Sequence, residues 1–121
     1  MLLVDAMNVR GAVPDGWWRD PDAALRRLVD AIAARRWNAW VVVVADGRPV
    51  AGLPAGTRGD VELRYAGHNA PDAADDLIVA IAGSEDPDDG PITVVTSDRG
   101  LRARLPAHVR IEGAAAFRAR L

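Results

Sequence analysis

Four consecutive valines at residues 41–44, followed by Ala45 and then Asp46-Gly47, restrict the fold more than any other stretch of this chain. A strand with one wet face alternates apolar and polar residues. This one is apolar at every position, as expected where both faces are covered. The rest of the sequence supplies the covers. Residues 2–4 read as a short strand and residues 21–37 as a helix, with Asp20 at the N-cap, Pro21 in the first turn, and Leu25, Leu28, Val29 and Ile32 at helical spacing. Residues 46–59 hold Gly47, Gly52, Gly56 and Gly59 with Pro49 and Pro54 among charged groups, which predicts a mobile loop. Residues 61–67, VELRYAG, alternate like a half-exposed strand at a sheet edge.

A second helix is expected over residues 70–83, with Pro71 in its first turn, Leu77, Ile78 and Ile81 on one face, and Gly83 as a stop. An acidic loop leads into ITVVTSD (residues 92–98), then a short helical piece at 101–105, a last strand at 108–113 and a terminal helix at 114–121. This rhythm predicts an α/β chain: a three-layer α/β/α sandwich around a mostly parallel five-stranded sheet. Ligands of such sheets sit outside the carboxyl ends of the strands.

With 121 residues, half of them apolar, the chain suits one core, so residues 1–121 are expected to form one domain. The absence of cysteine excludes a disulfide scaffold and a thiolate metal site. All 15 basic residues are arginine, so no phosphate-binding loop of the Walker type can be built. The longest purely apolar run, residues 39–45, falls far short of the roughly 20 residues of a membrane helix. No basic segment precedes an apolar one at the N-terminus, and a cytoplasmic location is the expectation.

Aspartates recur where ligands are expected. Asp5 follows the first strand, Asp46 the second and Asp98 the fourth, while Asp75 and Asp76 open the helix before that fourth strand. Carboxylates gathered at one rim repel one another and take up protons unless a cation neutralises them. A hard, oxygen-loving ion, Mg²⁺ or Mn²⁺, fits such a set. Taken singly, each aspartate has a plainer reading: Asp46-Gly47 is a turn pair, and Asp72 a favourable charge at a helix start. Asn8 either caps the turn after Asp5 or orients its carboxylate. Thr96 and Ser97 are divided between a turn role and a hydrogen bond to Asp98 or substrate. His68 and His108 are taken as surface or packing residues.

LLVDAMNVRG, VVVVADG, ADDLIVAIA and VVTSDRGLR, in that order, resemble an NYN domain of the YacP-like branch of the PIN-like nuclease superfamily, over nearly the whole chain. The resemblance implies a parallel sheet of order 3-2-1-4-5, a divalent-metal site of clustered acids, and cleavage of RNA phosphodiester bonds. It makes Asp5, Asp75, Asp76 and Asp98 the catalytic acids and metal ligands, with Asp46 at a more variable metal position and Asn8 as the partner of Asp5. Ala6-Met7 stand where the family often has a glycine and an aromatic residue.

The function expected on this basis is a Mg²⁺- or Mn²⁺-dependent endoribonuclease. RNA, structured or ribosome-associated, is the expected partner, with no membrane and with a homodimer left open. Arg10 and Arg99, together with Asn8 and Ser97, are the substrate-binding candidates, with Arg48 and Arg58 next. Trp17 and Trp18 suit stacking on bases, or packing under their loop and at a subunit contact. A catalytically silent RNA- or protein-binding module, a toxin ribonuclease and a nuclease acting on structured DNA stay open. A phosphoryl-accepting receiver would need a lysine after its last strand. A haloacid-dehalogenase-type phosphatase would need an aspartate where Met7 stands.

Overall fold

The computed structural model describes residues 1–68 and 70–121. Strands β1 (Leu2–Asp5), β2 (Val41–Ala45), β3 (Gly56–Arg58), β4 (Val61–Tyr65), β5 (Thr93–Val95) and β6 (Arg110–Glu112) form one sheet in the order β3-β4-β2-β1-β5-β6. All pairings are parallel except β3 with β4. The five expected strands are therefore present in the expected 3-2-1-4-5 order, and a sixth is added at one edge. Helices α1 (Ala6–Arg10), α2 (Pro21–Ala33), α3 (Ala73–Ser84), α4 (Arg99–Arg104) and α5 (Ala114–Ala119) complete the fold.

Every residue of β1 and β2 is buried, as the valine run requires. Alternate side chains go to opposite faces: Leu2, Val4, Val41 and Val43 pack with Leu25, Val29 and Ile32 of α2 and Phe117 of α5, while Leu3, Val42 and Val44 pack with Ile78 and Ile81 of α3 and Leu101 of α4. Burial of each such side chain contributes about 1.5–3 kcal/mol, so these two cores hold the strand ends, and with them the rim, in fixed positions.

Four expectations are corrected. The segment 46–59 is not all loop. Its strand β3 pairs antiparallel with β4, because Leu53 is drawn into the core and the Tyr65 hydroxyl donates to its carbonyl at 2.7 Å. In consequence β4 is an interior strand, covered by β3 on the side expected to be open. The helix over residues 21–37 stops at Ala33, where the Trp37 indole donates to the Ile32 carbonyl at 2.8 Å and stacks on Phe117, ending the helix by tertiary contact. The short helix expected at 101–105 begins at Arg99 because the Asp98 carboxylate caps it. In addition, β1 runs without a loop into α1, a five-residue helix that the sequence reading left out. Among the described residues no helix is long and apolar enough to cross a membrane.

Candidate metal and catalytic site

Parallel pairing brings the carboxyl ends of β1, β2 and β5 to one rim, and the direction of strand addition reverses between β1 and β5. Asp5 ends β1 at this reversal. It is 5% exposed, and its Oδ2 accepts from the fully buried Thr96 hydroxyl at 2.9 Å. The Thr96 oxygen in turn accepts from the Asp98 backbone N–H at 3.1 Å. One buried hydroxyl thus ties the end of β1 to the turn after β5. Burial pushes the Asp5 carboxyl up to about 6, the hydrogen bond from Thr96 opposes this, and the nearby charges of Asp75 and Asp98 add to the rise.

Asp98 spends one oxygen on structure. Its Oδ1 accepts from the Leu101 N–H at 3.1 Å as the α4 N-cap. A Cβ on Gly100 would lie 3.2 Å from that oxygen, so the bare glycine leaves the carboxylate its room. Asp75, in the first turn of α3, is half-buried. Burial raises its pKa first, and the charges of Asp98 and Asp72 add to that, with Arg104 opposing.

Asp46 follows β2 directly. Gly47 beside it has φ 72°, a left-handed conformation that lets the chain turn away at once. The Asp46 Oδ1 accepts from the Ala74 N–H at 3.1 Å and caps the start of α3 from 28 residues away. Asp5, Asp46, Asp75 and Asp98, with Asn8 and Met7, line one open cleft of about 260 Å³.

The other candidates lie elsewhere or carry structural bonds. Asp76 does not line the cleft; it is exposed and pairs with Arg104 at 2.6 Å. The Asn8 carboxamide oxygen accepts from the Ser97 N–H at 2.7 Å, and the Ser97 hydroxyl accepts from the Ala114 N–H at 2.9 Å, so these two residues dock α1 and α5 onto the turn after β5. Arg99 is exposed next to Asp98. Arg10 sits on the other side of Met7. Its guanidinium lies 4.9 Å from the Trp17 ring centroid and donates to the Pro21 carbonyl at 3.3 Å. Trp18 is 52% exposed and meets Trp17 edge to face. His68 and His108 are exposed.

The donor set suits a hard divalent cation: all oxygen, four carboxylates on one cleft, and no arginine lining it among the described residues. Among those residues no group of three acidic or histidine side chains stands close enough to grip an ion directly. Sequence reasoning missed the buried bond from Thr96 to Asp5 and the capping bond of Asp46. Both join residues distant in the chain and have no local signal.

The sequence matches no family model and no curated protein. Among solved structures, it is similar to Rae1 (YacP) from Bacillus subtilis, with a TM-score of 0.72 at 23% identity over 99% of this chain and 72% of the other. A single-substitution variant of the same protein gives a TM-score of 0.70 at 24% identity over 98% and 72%. The resemblance carried by the four motifs is thereby borne out at the level of the fold, which this chain shares with Rae1.

Proposed function

We propose that this chain is a divalent-metal-dependent endoribonuclease that hydrolyses RNA phosphodiester bonds, with Mg²⁺ or Mn²⁺ as cofactor. One observation carries the reading: Asp5, Asp75 and Asp98, from three separate elements, face one cleft at the switch point of the sheet, where burial and mutual repulsion make Asp5 and Asp75 hard to ionise. Clustering of this kind destabilises a fold and is tolerable where a cation belongs among the charges. The shared fold with Rae1 agrees with it.

A divalent ion held there would supply Lewis acidity at the scissile phosphate and a more acidic water. The chain's own residues do the rest. Thr96 fixes the rotamer of Asp5, and the α4 cap fixes that of Asp98, leaving its second oxygen for the cleft. Asn8 keeps the turn after β5 in register with α1. Arg10, Arg48 and Arg99 offer the positive charge that an acidic cleft cannot, and phosphate contacts are assigned to them.

The test is incubation of purified protein with single-stranded and structured RNA and DNA, with Mn²⁺, Mg²⁺ or EDTA. Cleavage of RNA with either ion and none in EDTA is expected. Asp98→Asn should abolish it with the thermal midpoint close to wild type, because an asparagine oxygen still accepts the Leu101 N–H. Cleavage that survives EDTA, or a midpoint that collapses in Asp98→Asn, contradicts the assignment.

A further inference from the structure

Three depressions follow one another around α1. The acidic cleft shares Met7 and Asp46 with a groove of about 390 Å³ that also holds Arg10, Arg48, Pro49 and Asp22. The groove shares Arg10 with a pocket of about 290 Å³ between α1, α2 and α5, into which Arg27 and Arg118 also face. Arg10 is thus the wall between groove and pocket. It is held rigid by Trp17 and the Pro21 carbonyl, and its Nε is buried without an acceptor among the described residues. Arg118 is fixed by Asp15 at 2.7 Å and by the carbonyls of Val9 and Arg10. Arg27 is exposed and has no ion pair or hydrogen-bond acceptor among the described residues. Among the described residues Asp15 is the only carboxylate side chain that lines the pocket, against three guanidinium groups.

We propose that the Arg10–Arg27–Arg118 pocket binds a backbone phosphate of the nucleic-acid strand, further along the groove from the phosphate at the acidic cleft. Guanidinium groups match the oxygens of a phosphoryl group, and two of the three side chains are immobilised before binding, so little side-chain entropy is lost there. The pocket extends the footprint past the groove and sets a minimum length of substrate. The site rests on the nuclease reading, but binding tests it independently of cleavage.

The experiment measures binding of a labelled single-stranded RNA across a salt series in EDTA, and steady-state cleavage with Mn²⁺, for wild type, Arg27→Ala, Arg27→Glu and Arg110→Ala. Arg110 is the control because it opens β6 at the opposite end of the sheet. Arg27→Ala should weaken binding about three- to tenfold and lower the slope of log K against log salt by about 0.7. KM should rise with kcat unchanged, Arg27→Glu should do more, and Arg110→Ala nothing. RNA shorter than the groove should lose the dependence on Arg27. An unchanged salt slope and KM in Arg27→Ala overturns the site. So does competition by inorganic phosphate that depends on Arg27 while RNA binding does not, which would assign the pocket to a free phosphorylated ligand. A wild type that never cleaves RNA yet shows the Arg27-dependent slope sinks the nuclease reading and keeps the pocket.

Discussion

Asp5 closes a strand in the middle of a sheet, where a carboxylate is least at home. Its folded pKa of about 6 stands above the ordinary aspartate value of 3.8, so the folded state holds this proton more tightly than the unfolded one does. Below about pH 4 both states are protonated and burial of Asp5 carries no penalty. Between about pH 4 and 6 the unfolded state gives up this proton while the folded state still holds it, so stability on the order of 3 kcal/mol is lost by the time pH has risen through about 6. Asp5→Asn should therefore be more stable than wild type at about pH 7.5 and no more stable at about pH 4, as read by urea denaturation without divalent ions. A difference between the two proteins that does not change with pH would show that Asp5 ionises freely. At this scale the positions of Asp5, Asp75 and Asp98, after strands and at a helix start, were enough to place them on one cleft. It could not tell Asp75 from Asp76, because which of two neighbours on a helix faces the cleft depends on how α3 is rotated against the sheet. It also left Ser97 undecided between turn and substrate, and the structure uses its hydroxyl to hold the start of α5.

At the scale of elements, the parallel strands were legible because their patterns are local: an unbroken valine run for β2, a hydrophobic triplet for β1, alternation for β4. Strand β3 was not, since glycines and prolines suppress strand propensity and the pairing depends on Leu53 and Tyr65 holding the turn. Trp37, which limits α2, acts through contact with Phe117 of a helix eighty residues later. Asp46 joins two elements, and that bond separates its roles. Asp46→Asn keeps an acceptor for the Ala74 N–H and should leave the thermal midpoint within about a degree of wild type, whereas Asp46→Ala should cost about 1 kcal/mol. If cleavage falls in both variants, the charge itself is used; if only in Asp46→Ala, the residue serves by placing α3. Equal midpoints for the two would remove the capping role.

For the whole molecule, the topology converts sequence order into an arrangement of charge around α1: carboxylates at the switch point, Arg10 and Arg48 with Asp22 and Asp46 in the groove beside them, Arg27 and Arg118 with Asp15 beyond. The acidic end was readable from spacing, because each aspartate follows an element whose end lies at the rim. The basic end was readable only in part, since Arg27 and Arg118 lie 91 residues apart on two helices and meet through packing. Sharing of a divalent ion by the cleft acids is what electron paramagnetic resonance of Mn²⁺ titrated into the protein measures directly. Bound Mn²⁺ should be present in wild type, strongly reduced in Asp5→Asn, Asp75→Asn and Asp98→Asn, and retained in Asp76→Asn, whose carboxylate is paired with Arg104. Absence of bound Mn²⁺ in wild type, or its loss in Asp76→Asn with retention in Asp5→Asn, would contradict the account.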